Sequence, residues 1–255
     1  MWFWVVKALT TAMGEATSDY SVHAINPVVA VVAGFVVFCV AMALQLRAKK
    51  YQAPVYWFAV VMVAVFGTMC ADVLHVRFRV PYAVSAPAFA VVLGAVLVSW
   101  YLVEATLSIH SIYTLRRELF YWATVLATFA TGTALGDMTA TTLHLGYFSS
   151  GLLFLGVIAV PALGYWLAGL NEVFAFWFAY IVTRPLGASF ADWMGFPPSV
   201  GGLGFGHGAV AVIFSVPIVL VVAYLAVAKV DLPADQRRRE LFGSTARGLA
   251  DITGP

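Results

Sequence analysis

The sequence predicts an all-α integral membrane protein: eight transmembrane helices, built from four parallel two-helix repeats, forming a pseudo-fourfold bundle with both termini cytoplasmic. Three observations carry this. Hydrophobic residues make up 62% of the 255 positions and charged residues 10%, at a mean hydropathy of +0.92; soluble domains carry about 25% charge, so these residues cannot build a water-facing surface. Runs such as "NPVVAVVAGFVVFCVAMALQL" (26–46) and "HGAVAVIFSVPIVLVVAYLAVA" (207–228) meet the length of about 20 residues that a span requires. Finally, a Trp and an Asp recur four times at a spacing of fifteen: Trp4–Asp19, Trp57–Asp72, Trp122–Asp137 and Trp177–Asp192.

The repeat has further columns. An aromatic residue precedes each Trp (Phe3, Tyr56, Tyr121, Phe176), and a Gly stands five before each Asp (Gly14, Gly67, Gly132, Gly187). Just before each Asp is a small residue: Ser18, Ala71, Gly136 and Ala191. The repeats run 1–54, 55–118, 119–172 and 173–229, and a polar cytoplasmic tail fills 230–255.

The elements follow in order. In repeat one, helix 2–19 begins almost at the first residue, without the basic leader and cleavage site of a signal peptide, and helix 27–46 follows. Repeat two gives helices 55–73 and 82–104, repeat three 119–138 and 147–168, repeat four 173–193 and 207–229. "TRPLGASFAD" (183–192) puts Pro185 inside the last odd helix, where it removes a backbone hydrogen bond and is expected to kink the span, with Arg184 reaching the freed carbonyls. "GGLGFGHG" (201–208) reads as a flexible loop before the final span.

Orientation follows from basic residues. Arg47, Lys49, Lys50, Arg116, Arg117, Lys229, Arg237, Arg238, Arg239 and Arg247 fall on one side, and only Arg77 and Arg79 on the other. Positive charge favours the cytoplasmic side. Each odd helix then starts inside, with its aromatic–Trp pair at the interface that suits such rings. Each Asp lies about 22 Å further on, toward the outer leaflet.

The odd helices have two distinct faces. Thr10–Gly14–Ser18, Thr128–Gly132–Gly136 and Thr183–Gly187–Ala191 are small-residue ladders, which let helices approach closely in lipid. The Asp face points elsewhere. Glu15 lies one turn before Asp19; Thr68, Thr133 and Ala188 hold the matching place in the other repeats. The even helices carry no ionisable residue in their interiors, so the odd helices are expected to form the inner ring and the even ones to face lipid.

Glu15, Asp19, Asp72, Asp137 and Asp192 outnumber Lys7 and Arg184 on that ring. Such an excess suits a cation or a proton relay. Oxygen donors from the carboxylates, Thr68 and Thr133 suit hard cations, and a bound divalent metal is one expectation. The alternative reading makes the Asp column architectural, each carboxylate bonding loop backbone. Lys7 and Arg184 are either counterions that set the field or gate, or side chains reaching the inner interface. His23, His75, His144 and His207 read as ordinary loop or interface residues because their offsets from Asp differ. Cys39 and Cys70 lie in apolar runs and read as small buried hydrophobes.

The segments "TLSIHSIYTLRRELFYWATVLATFATGTALGD", "FWFAYIVTRPLGASFADW" and "FWVVKALTTAMGEATSDY" resemble a family of bacterial membrane proteins with four copies of a repeat of unknown function, each holding two spans and a characteristic Trp. The resemblance covers about residues 2–228 and implies no settled activity. Ala191 departs from it, standing where the family often has Gly.

The functional expectation is an inner-membrane transporter of a small cation, with a divalent metal as a candidate, in which Glu15 and Asp19 bind and the other repeat Asp residues complete the site or relay protons. Its site residues are Glu15, Asp19, Asp72, Asp137 and Asp192, with Lys7, Thr68, Thr133 and Arg184 in gating or transport roles. A pseudo-fourfold channel and a non-transporting scaffold or sensor are the rivals. Neither an enzyme, a cofactor protein nor a nucleic-acid binder is expected: no nucleophile–base–acid pattern stands out, and the histidines are too peripheral for haem ligation.

Overall fold

The computed structural model describes residues 2–48, 50–231 and 236. Expectations for Lys49, Arg237, Arg238, Arg239, Arg247 and most of the tail lie outside these residues, as does the Arg77 side chain. Eight long helices account for the fold, with no strand among the described residues: α1 (Trp2–Ala24), α2 (Pro27–Arg47), α3 (Ala53–Asp72), α4 (Tyr82–Glu104), α5 (Leu115–Asp137), α6 (Tyr147–Ala168), α7 (Glu172–Gly195) and α8 (His207–Ala228).

Local chemistry sets the helix ends. Asn26 accepts from the Val28 N–H at 3.0 Å and Pro27 opens α2; Asn171 accepts from Val173 and Phe174; Thr114 accepts from Arg117. Such caps contribute about 1 kcal/mol each. At the other ends, Ala105, Gly169 and Lys229 take left-handed φ values of 53°, 64° and 52° and stop α4, α6 and α8. Beyond Asp72 and Asp137 the chain continues as π-helical turns, Val73–Arg77 and Met138–Thr142. Both carboxylates therefore sit inside continuous helical backbone rather than at its end. Pro185 likewise does not interrupt α7, which runs unbroken through it.

The four odd helices form a closed ring, α1 against α3, α3 against α5, α5 against α7, and α7 against α1. The even helices lie outside, and each packs mainly on the odd helix of the following repeat: α2 on α3, α4 on α5, α6 on α7, and α8 back on α1. Their apolar windows are only 17% buried, against 50–67% for α3, α5 and α7. Side chains such as Val28, Val91, Leu153 and Val219 are left pointing outward, which is affordable in hydrocarbon and not in water.

Seven helices, all but α1, are long and apolar enough to cross a membrane. Helix α1 is equally long but carries Lys7, Glu15 and Asp19, of which Lys7 and Glu15 are buried. Its polarity is spent inside the ring.

The aromatic–Trp pairs, expected at the inner interface, also join neighbouring repeats. Each aromatic residue meets the Trp of the next repeat: Phe3–Trp57 at 5.7 Å, Tyr56–Trp122 at 5.8 Å, Tyr121–Trp177 at 6.2 Å and Phe176–Trp4 at 5.6 Å between centroids. Trp57, Trp122 and Trp177 are buried; only Trp4 is exposed. The rings make an inter-repeat girdle at one end of the bundle, and tilted aromatic contacts of this kind contribute about 0.5–1.5 kcal/mol each beyond the area they bury.

Candidate functional site

The glycine column builds the axis. Three residues before each Gly stand Thr11, Ala64, Phe129 and Arg184. Each of these packs onto the Gly of the preceding repeat. A Cβ on Gly14 would fall 2.5 Å from Ala64 Cβ, on Gly67 2.7 Å from Phe129 Cβ, on Gly132 2.3 Å from Arg184 Cγ, and on Gly187 2.0 Å from Thr11 Oγ1. The small-residue face is thus the seam of the ring, as the ladders predict, and it repeats four times. One member of this column is an arginine.

Arg184 is completely buried. Its Nη2 donates to Glu15 Oε2, to Thr68 Oγ1 and, at 2.6 Å, to Thr133 Oγ1; its Nη1 donates to the Thr11 carbonyl at 3.4 Å. Glu15, Thr68 and Thr133 all stand one residue after their Gly. Three repeats therefore supply the acceptors and the fourth supplies the guanidinium. The expectation that Arg184 reaches carbonyls freed by Pro185 is corrected: its carbonyl partner is on α1. The counterion reading holds, with Glu15 as partner.

Beyond this pair, on the side away from the aromatic girdle, the carboxylates gather. Oxygens of Glu15, Asp137 and Asp192 lie within 4.8 Å of one another. A carboxylate oxygen each from Asp19 and Asp192 lies within 4.8 Å of the other and of a His207 ring nitrogen. Asp72 accepts from Ser18 Oγ at 3.0 Å, the residue beside Asp19, so it borders the same cluster. Asp192 is 2% exposed, and its Oδ1 has no hydrogen-bond partner among the described residues. Tyr82 of α4 stands beside Asp137.

None of the four Asp carboxylates accepts from a loop backbone N–H among the described residues, and neither Asp72 nor Asp137 caps the turn after it.

Among the histidines, the loop reading suits His75, which bonds the Val80 carbonyl at 2.7 Å and Ser85 at 3.1 Å, and exposed His144. His23 is exposed too, its Nδ1 2.7 Å from the Asp19 carbonyl oxygen. For His207 it is corrected: Nδ1 lies 3.2 Å from Asp19 Oδ2, in the carboxylate cluster. Sequence spacing hid this, because His207 meets the Asp of repeat one, across the α8–α1 closure, as well as nearing the Asp192 of its own repeat.

Lys7 also differs from both expectations. It is fully buried, so it does not reach the interface, and among the described residues it pairs with no carboxylate. Its Nζ sits 4.1 Å from the Phe129 ring centroid and 4.0 Å from that of Tyr180, with no hydrogen-bond partner among the described residues. Two aromatic faces hold the cation by their quadrupoles. From this level rings run on to the girdle, with Tyr180 packed against Phe3 and Phe176. There the Tyr56 and Tyr121 hydroxyls meet at 2.6 Å, beside a cavity of about 410 Å³ bordered by Trp57, Trp122 and Glu118.

These features define a class: a four-repeat helical membrane protein whose inner ring carries an axial row of charges. All four repeats, at residues 2–51, 55–106, 120–170 and 175–231, match the family described as Repeat of Unknown Function (DUF347), and the chain belongs to that family. No curated protein and no solved structure matches it.

Proposed function

We propose that the protein transports a small cation across the cell membrane, with both termini in the cytoplasm and the carboxylate cluster facing outward. The observation that carries this is the convergence of Glu15, Asp137 and Asp192 within 4.8 Å, one of them already holding Arg184 and another with a bare oxygen. Like charges this close require positive charge among them, as a metal ion or as protons. Five carboxylates face one guanidinium at this end, since Lys7 is committed to its aromatic pair. All eight helices are taken to span the bilayer; α1 does so with its charges turned into the ring.

In this reading Arg184 is a tethered competitor. A cation settling between Asp137 and Asp192 draws on Glu15, weakening its bond to Arg184. Arg184 in turn is held by three repeats, so its release loosens contacts across the whole ring. The bundle can then shift about the site, as repeat-built transporters do. Thr68 and Thr133 offer hydroxyl oxygens where the guanidinium leaves. The chemistry is binding and translocation, with no enzymatic step and no resident cofactor.

The test is cation flux into proteoliposomes, comparing wild type with Glu15→Gln and Asp137→Asn at matched incorporation. Both changes are expected to lower flux at least tenfold. Unaltered flux for every cation tried, in both variants, rejects transport through this cluster. The ring of four odd helices favours a second reading, a channel. Arg184, Lys7 and Phe129 fill the axis with completely buried side chains, so a channel would have to displace them to open. Step-like single-channel currents in planar bilayers would select it over a carrier.

A further inference from the structure

We propose that Asp19, Asp192 and His207 form a binding site for a divalent transition metal at the open end of the ring. The donors converge: one atom from each lies within 4.8 Å of the other two, and His207 Nδ1 stands 3.2 Å from Asp19 Oδ2. That last distance matches the edge of a tetrahedron with metal–ligand bonds of about 2.0–2.1 Å, roughly 3.3 Å. It is not satisfied as a hydrogen bond, since Nδ1 has no hydrogen-bond partner in that geometry. Asp192, almost wholly buried, brings an oxygen to the same point and has Oδ1 unpartnered. Buried polar atoms left without partners are costly, and a metal satisfies them together.

The imidazole is held for this purpose by its surroundings. His207 is the first residue of α8, delivered by Gly206 at φ 79°. It lies against Gly195, where a Cβ would come within 2.7 Å of Nδ1, and the Phe196 ring meets it edge-on at 4.7 Å. Only a glycine leaves room for the ring there. The Asp19 and His207 side chains keep 16% and 15% of their surface exposed, so an ion can arrive from solvent.

The donor set selects the ion. Two carboxylates and one imidazole suit Mn²⁺, Fe²⁺, Co²⁺ or Zn²⁺, whereas Mg²⁺ and Ca²⁺ prefer oxygen alone. Asp192 belongs to this triad and to the inner one with Glu15 and Asp137. Where the transport reading holds, the shared carboxylate passes the ion inward; the binding site itself does not depend on that reading.

Co²⁺ is the probe, because its visible d–d absorption reports coordination geometry directly. Purified full-length protein in detergent is expected to bind Co²⁺ at this site, with displacement by Zn²⁺ and not by excess Mg²⁺. His207→Gln and Asp19→Asn, checked for monodispersity, should each lose affinity by at least about 100-fold, because each removes a direct ligand and even the loss of a group that only orients a ligand costs about 10–100-fold. Glu172→Gln, an exposed change in the first turn of α7 and far from Asp192, should keep the spectrum. The proposal is overturned if wild type shows no d–d band, or if His207→Gln binds Co²⁺ with unchanged affinity and spectrum. Retained Co²⁺ binding with no flux in any assay would sink the transport reading and leave this site standing.

Discussion

Arg184 and Lys7 are both buried cations, yet their environments predict opposite behaviour. Arg184 is bonded to Glu15 and two threonine hydroxyls, and removing either partner of such a pair strands the other. Arg184→Gln and Glu15→Gln should each lower unfolding stability by about 3–5 kcal/mol. The double variant should cost clearly less than their sum, because no lone charge then remains. Chemical denaturation in micelles measures all three. Lys7 has only ring faces for company, and its missing hydrogen bonds cost about as much as the cation–π contacts return. Lys7→Met should therefore leave stability within about 1 kcal/mol of wild type, read by the same unfolding curves.

At the scale of elements, the glycine seam decides how closely the ring helices approach. Gly187→Ala drives a Cβ into Thr11 and within 3.0 Å of the Ala12 backbone nitrogen, and backbone cannot step aside. The expected loss is about 1–3 kcal/mol. Gly94, on α4, has nothing within 4 Å of the same added atom. Gly94→Ala should be neutral or stabilise by up to about 1 kcal/mol through helix propensity. Thermal unfolding of the two variants side by side separates seam from lipid-facing surface. The ladder pattern is legible in sequence because small residues every four positions mark one helical stripe. The girdle contacts are not: an aromatic–Trp dipeptide fits a lipid interface and an inter-helix contact equally well, and only the neighbouring repeat distinguishes them.

For the whole molecule, each even helix packs on the next repeat's odd helix, so a single repeat is not a folding unit. Cutting the chain between α4 and α5 leaves two halves that each expose surfaces made for the other, with Glu104 bridging to Arg116 and Arg117 across the cut. Fragments 1–114 and 115–255 should co-purify when expressed together and aggregate when expressed alone, as size-exclusion chromatography would reveal. The sequence by itself determined the fourfold repeat, the helix spans, the inner and outer rings and the surplus of acidic groups, because hydropathy and periodicity are local properties of the chain. Only the tertiary structure decided the partners: Arg184 with Glu15, Lys7 between Phe129 and Tyr180, His207 with Asp19. Each of these joins different repeats, and which repeats touch depends on how the ring closes. That closure comes from glycine-mediated packing between helices far apart in the chain, which no spacing within a single repeat records.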